Sequence, residues 1–71
     1  MTTVFPYIEL NRQQIDVLLY SSNGYTVKEI ADKKSVPVKT IEGKKQSIMK
    51  KFKAKTWPQA ISDAFRLGII E

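Results

Sequence analysis

Helix-start signals recur four times along this chain, and they constrain its fold more than any other feature of the sequence. Asn11-x-x-Gln14 has the pattern of a capping box and predicts a first helix that runs to Gly24, where glycine is a common helix stop. Thr26-x-x-Glu29 matches the capping-box pattern more strictly and predicts a short second helix.

The second half of the chain carries two further helix starts. Pro37 supplies a backbone angle suited to a helix start, and the third helix is predicted to continue to about Phe52. Thr56, with Pro58 inside the first turn, predicts a fourth helix that ends near Gly68. No segment has the pattern of a β-strand, so we expect an all-α domain of four helices.

The length of the chain allows a single small domain. Seventy-one residues are close to the lower limit at which an apolar core can stabilise a fold alone. We expect residues 10–71 to form that domain. Residues 1–9 are expected to be a lead-in or linker remnant, with Phe5, Tyr7 and Ile8 packed on the bundle.

Several classes of function are disfavoured by what the sequence lacks. Without cysteine or histidine, the chain has no disulfide framework, no zinc finger and no Ser-His or Cys-His catalytic pair. The carboxylates are scattered and no glycine-rich phosphate loop is present. The apolar runs are too short for a membrane span or a signal peptide. We therefore expect a cytoplasmic protein that is not an enzyme and binds no cofactor, metal or membrane.

Positive charge is concentrated in the middle of the sequence. All ten lysines lie between residues 28 and 55, where only three acids accompany them. Such a zone is typical of proteins that bind polyanions. A solvated lysine face that serves only solubility would have the same composition, so charge alone leaves both interpretations open.

In the third predicted helix, the apolar residues and the polar or charged residues lie on different sides. At about 100° per residue, Ile41, Ile48 and Phe52 form one stripe that we expect to be buried. Lys44 and Lys45 flank it, where their stems can pack while the ammonium groups stay in water. The opposite side carries residues able to reach a phosphate or a base edge, together with one glycine: Lys39, Glu42, Gly43, Gln46, Lys50 and Lys53.

A short helix, a tight turn and a longer basic helix match a helix-turn-helix, in which the second helix enters the major groove. A plain bundle with a solvated lysine face is the alternative.

A longer pattern agrees with the helix-turn-helix interpretation. Its parts are LNRQQIDVL at 10–18, Gly24, KEIA at 28–31, VPVKTI at 36–41, IMKKF at 48–52 and A-I-x-x-A-x-x-x-G-I-I at 60–70. In this order and spacing, without gaps, they resemble the LuxR/GerE-type helix-turn-helix domain. That domain is the output domain of many bacterial response regulators and quorum sensors.

The resemblance implies where this chain would contact DNA phosphates. Lys28 and Thr40 occupy positions that contact phosphates in the family. From the charge pattern, we expect Lys39, Lys50 and Lys53 to be further phosphate contacts, although some of these lysines would be only solvated.

The resemblance also implies where bases would be read. The positions of Glu42, Gly43 and Gln46 would face base edges in the major groove, and Lys44 belongs to the same DNA-binding set. Three departures accompany the match. Many members have lysine in place of Glu42, histidine is common in place of Lys44, and Pro37 replaces the usual serine cap.

Glu42 and Gly43 each leave alternatives open. Glu42 would accept a hydrogen bond from a cytosine, be neutralised by Lys39 and Lys45, or indicate a domain that binds DNA poorly. Gly43 is a tolerated weak point in the helix, or a position at which any side chain would collide with the floor of the groove.

The fourth helix carries more apolar residues than one core face needs. The resemblance implies that it pairs two subunits on DNA, and we expect Trp57, Ile61 and Phe65 at that interface. The alternative is that the lead-in covers the surplus.

Taken together, the sequence predicts a sequence-specific double-stranded DNA-binding domain that regulates transcription on the bacterial nucleoid. It would be the output domain of a two-component response regulator or a stand-alone regulator, acting as a homodimer with RNA polymerase as a further partner. The rival is a helix-turn-helix interaction module whose basic face docks an acidic protein.

Overall fold

The computed structural model describes residues 8–71, and all regular secondary structure in that range is helical. The helices are α1 (Arg12–Ser22), α2 (Val27–Lys34), α3 (Val38–Phe52) and α4 (Trp57–Arg66). The all-α, four-helix prediction is therefore confirmed. Within the described range, no helix is long and apolar enough to cross a lipid bilayer.

The beginnings of α1 and α2 follow the capping signals in the sequence. The Asn11 side chain accepts from the Gln14 amide at 2.8 Å, and Gln14 Oε1 accepts from the Asn11 amide at 3.0 Å. Thr26 and Glu29 form the same reciprocal pair. These bonds satisfy backbone amides that a helix leaves without partners, so both predicted capping boxes are confirmed.

The other two helices begin with weaker caps. Pro37 precedes the first residue of α3 with φ −64° and ψ 151°, and it supplies no side-chain cap. At α4 the Thr56 hydroxyl accepts from the Gln59 amide at 3.2 Å, whereas the Gln59 side chain accepts from the Lys55 amide. Thr56 and Gln59 therefore form half of a capping box.

The core is built around α3, which packs against each of the other three helices. The predicted stripe is buried: Ile41 and Ile48 are 0% exposed and Phe52 is 2% exposed. The other buried apolar side chains are Val17, Leu18, Ile30, Ala31, Ala60, Ala64 and Ile70. Burying a large aliphatic or aromatic side chain stabilises the fold by about 1.5–3 kcal/mol, so this stripe fixes which side of α3 faces outward.

A three-residue turn joins α2 to α3. Ser35 ends α2 in the left-handed conformation with φ 56°, and the Val36 amide donates to the carbonyl of Ala31 at 3.0 Å. Short helix, tight turn and longer helix form the layout of a helix-turn-helix.

The chain before α1 is described only from Ile8 onward. Ile8 is half-buried against the core, as expected for the lead-in. The predicted packing of Phe5 and Tyr7 lies outside the described residues.

Candidate nucleic-acid interface

One side of α3, opposite the buried stripe, is exposed along the length of the helix. We call this surface the outer face of α3, and its residues are Lys39, Thr40, Glu42, Gly43, Gln46, Lys50 and Lys53, the last capping the helix. All seven are exposed. The structure therefore brings together seven of the nine predicted DNA-binding residues; the other two, Lys28 and Lys44, lie elsewhere.

Two other lysines of α3 join the helix to α1 and the segment before it. The Lys44 ammonium donates to Gln13 Oε1 at 2.8 Å. The Lys51 ammonium donates to the carbonyl of Glu9 at 2.6 Å and to Gln14 Oε1 at 3.2 Å. Lys44 was predicted to belong to the DNA-binding set, and the structure places it on the flank of α3 with its ammonium directed at α1.

The lysines of the outer face differ in this respect. Among residues 8–71, the ammonium groups of Lys39, Lys50 and Lys53 make no hydrogen bond or ion pair. The same holds for Lys28, which is exposed in the first turn of α2. These four cations are thus available to an external anion.

Glu42 is the only acid of the outer face. It is exposed, and no ion pair joins it to Lys39 or Lys45 in the described structure. The geometry therefore gives no support to the interpretation that those two lysines neutralise it. Its carboxylate oxygens are hydrogen-bond acceptors directed into solvent.

Gly43 lies in the middle of the outer face with open space around it. A Cβ atom built there would meet nothing within 4 Å. No close contact inside the molecule therefore requires glycine, although glycine in a helix interior costs about 1 kcal/mol relative to alanine. The position is a flat spot between longer polar side chains.

A groove of about 490 Å³ runs between the outer face of α3 and the start of α4. Its lining comprises Lys39, Glu42, Gly43 and Gln46 of the outer face, together with Lys45, Met49 and Trp57. The Lys45 ammonium nitrogen lies 5.1 Å from the centroid of the Trp57 ring, which is a cation–π contact.

The three residues predicted for a dimer interface have different surroundings. Trp57 and Ile61 are half-buried and pack against the core, whereas Phe65 is 45% exposed. Leu67, just after α4, is 36% exposed. The surplus apolar surface of α4 is therefore concentrated at its C-terminal end.

An ion-pair cluster joins α1 to α2 away from the outer face. Asp16 Oδ2 lies 3.0 Å from the Lys34 ammonium, and Asp16 Oδ1 lies 3.2 Å from Arg12 Nε. The hydrogen bond from Lys34, together with the positive charges of Lys34 and Arg12, holds the pKa of the Asp16 carboxyl below its ordinary value, against the opposing effect of burial.

Sequence reasoning missed two side-chain contacts of α3, one with Gln14 on α1 and one with Trp57 on α4. Gln14 was interpreted only as a cap, yet it is 5% exposed and its amide donates to Ser47 Oγ at 3.0 Å. Its spacing from Val17 and Leu18 places it on the buried side of α1 and would have indicated burial. The contact between Lys45 and Trp57 has no local signal, because the two residues lie on different helices.

Comparisons with known proteins agree on one family. The family model described as bacterial regulatory proteins, luxR family, matches residues 9–64. The oxygen regulatory protein NreC of Staphylococcus aureus, in strains JH9, JH1 and Mu3, is 35% identical over 69 residues. The match covers 97% of this chain but only 32% of NreC, so the chain spans about a third of the length of these relatives. No solved structure gives a significant match.

Proposed function

Because the chain belongs to the luxR family of bacterial regulatory proteins, we propose that it binds double-stranded DNA sequence-specifically and regulates transcription. We further propose that it acts as the output domain of a two-component response regulator. The observation that carries the proposal is the outer face of α3, where Lys39, Lys50 and Lys53 surround a small polar centre.

In the proposed complex α3 lies in the major groove. Glu42, Gly43 and Gln46 face base edges, where glutamine and carboxylate side chains discriminate between bases by hydrogen bonding. The surrounding lysines contact the backbone and hold the helix in register.

The turn before α3 adds backbone contacts of its own. Lys28 at the start of α2 and Thr40 in the first turn of α3 are both exposed. We propose that Lys28 and the Thr40 hydroxyl bind phosphates at the edge of the groove, as the family resemblance implies.

Two subunits would bind together. A symmetric pair joined through α4 matches a palindromic site, and the exposed Phe65 offers apolar area for such a contact. A regulator of this kind would act in the cytoplasm on the nucleoid and contact RNA polymerase once it is bound.

The test is selection of bound sequences from a random duplex pool, followed by titration of a labelled selected duplex at several salt concentrations. The four available lysines of each subunit alone give a dimer about eight phosphate contacts, so the logarithm of the binding constant should fall with the logarithm of salt concentration with a slope of about −7 or steeper. Lys50→Gln should make the slope less steep by about 0.9 for each subunit bound. Arg12→Gln, which removes a cation from α1, should leave it unchanged.

The rival function has a distinct outcome in the same assay. A slope close to zero, together with no enriched sequence, would contradict the proposal. An acidic protein partner whose binding is insensitive to excess duplex would then support the interaction module.

A further inference from the structure

The start of α4 is continuous with the outer face of α3, because both line the same groove. We propose that the DNA interface extends onto α4, where the Trp57 ring positions the Lys45 ammonium for contact with a backbone phosphate. This inference rests on the DNA binding proposed above, and it concerns two residues outside the DNA-binding set predicted from the sequence.

Lys45 is held in a different way from the other flanking lysines of α3. Lys44 and Lys51 donate to oxygen atoms on α1 and on the segment before it, which direct their ammonium groups toward α1. The Lys45 ammonium instead lies against the Trp57 ring, 5.1 Å from its centroid. A ring face attracts the charge without accepting conventional hydrogen bonds, so the N–H groups that point away from it can still bind an anion.

Trp57 is suited to act as a fixed support. It is the first residue of α4, directly after the Thr56 cap, and Pro58 follows it in the first turn. Its side chain is half-buried and packs against the core. A ring fixed on one side by the core holds a lysine at lower entropic cost than a mobile surface residue would.

The position of Lys45 matches a wall of the major groove. A helix in a groove about 12 Å wide has phosphates on both sides, while base edges face the middle of the helix. Gly43 and Gln46 occupy that middle, and the side of α3 toward α4 carries Lys45. A lysine there faces the backbone and not the bases.

The same geometry separates Trp57 from the proposed contact between subunits. Trp57 and Phe65 are eight residues apart on α4, which is about 12 Å along a helix. Phe65 is 45% exposed at the far end, whereas Trp57 closes the groove beside α3. Trp57 therefore belongs with the DNA-facing surface, and Phe65 remains the candidate for the subunit interface.

The first experiment uses the unmodified chain and a 24-base-pair mixed-sequence duplex. Trp57 is the only tryptophan, so its emission reports on this groove alone. Binding of the duplex, followed independently by anisotropy of a label on the DNA, should change the Trp57 emission in proportion to occupancy. The change should also occur in Phe65→Ser at saturating duplex, because it arises from DNA and not from subunit pairing.

The second experiment separates positioning from direct contact. Lys45→Gln should weaken binding about eightfold at 0.1 M salt and make the salt slope less steep by about 0.9 per subunit, the effect of one lost phosphate contact. Trp57→Leu should weaken binding about threefold in the wild-type background and have no effect in the Lys45→Gln background, since the ring acts through the lysine. Trp57→Phe, which keeps an aromatic ring, should retain most of the DNA affinity that Trp57→Leu loses. Leu19→Ala, a truncation on α1, should not alter affinity. Thermal unfolding establishes that each variant is folded.

The outcomes distinguish this inference from the proposed function. If the wild type binds duplex while Trp57 emission stays constant and Trp57→Leu binds as tightly as Trp57→Phe, the inference is wrong and DNA binding stands. An emission change that disappears in Phe65→Ser at saturation also overturns it, by assigning the signal to subunit pairing. If the wild type binds no duplex at all, the proposed function fails and the inference fails with it.

Discussion

At Gly43 the protein places one of the poorest helix formers in the middle of its longest helix. The space beyond this residue is empty, so packing inside the fold does not explain the glycine. Removing the side chain also exposes the backbone, which reduces the distance at which a groove floor can approach the helix. We propose that this residue exchanges helix stability for a closer approach by DNA.

Gly43→Ala should raise the free energy of unfolding by about 0.5–1 kcal/mol, because alanine favours the helix and its methyl group meets nothing within the fold. The same substitution should weaken binding of a selected duplex. Denaturant unfolding and duplex titration measure the two effects. Ser62→Ala on the exposed side of α4 is a matched control that changes helix propensity alone. A more stable Gly43→Ala with unaltered affinity would mean that the glycine is merely tolerated.

Glu42→Lys should change which sequences are enriched from a random duplex pool. A carboxylate accepts a hydrogen bond from cytosine, whereas an ammonium group donates to guanine, so the preferred base opposite position 42 should change. Asp32→Lys on α2 makes the same change in charge away from the outer face of α3. It should tighten binding to all sequences about equally. If Glu42→Lys also tightens binding without changing the preferred site, Glu42 does not contribute to specificity.

At the level of the elements, α1 and α2 share the apolar core and are also joined by an ion pair at Asp16. Asp16 contacts Lys34 on the neighbouring helix and Arg12 one turn earlier. Because its pKa is lowered in the folded state, the stabilisation is present above the ordinary value of 3.8 and is lost as pH falls through the lower folded value.

Asp16→Asn should therefore destabilise the domain at pH 7 by on the order of 0.5–1 kcal/mol. The difference from wild type should begin to shrink as the pH falls below 3.8 and should disappear only below the lower pKa of the folded state, where the wild-type carboxyl is itself protonated. Urea unfolding from pH 7 to pH 2.5 measures this, with the exposed Asp32→Asn as control. A constant difference across the whole range would show that the charge of Asp16 is not what stabilises the contact.

Elements defined by local signals were predictable from the sequence, and contacts between elements were not. The helix starts at Asn11 and Thr26 each depend on a contact between residues three positions apart. Such a contact is local, so the sequence pattern alone indicates that the two residues will meet. The outward side of α3 follows in the same way from helical periodicity. The direction of the Lys45 ammonium depends instead on Trp57, whose distance from it only the packing of α4 on α3 determines.

For the molecule as a whole, the most exposed large apolar side chain among residues 8–71 is Phe65, near the C-terminal end of α4. Phe65→Ser should cost little folding stability, because that side chain is 45% exposed in the single subunit. It should however abolish paired binding on a duplex with two half-sites and leave each subunit to bind alone. Sedimentation of the complex gives the stoichiometry, and Leu19→Ser, at a residue 37% exposed on α1, is the control. Cooperative binding by Phe65→Ser would place the subunit contact elsewhere.

Among residues 8–71, some lysines bond within the molecule and others are free to contact DNA. We therefore expect folding and DNA binding to respond differently to ionic strength. Lys44 and Lys51 donate to uncharged amide and carbonyl oxygens, and added salt weakens such bonds little. Attachment through Lys28, Lys39 and Lys50 would depend on displaced counterions and therefore weaken steeply. Concentrated salt should thus elute this domain from a polyanion column as an intact, still folded molecule.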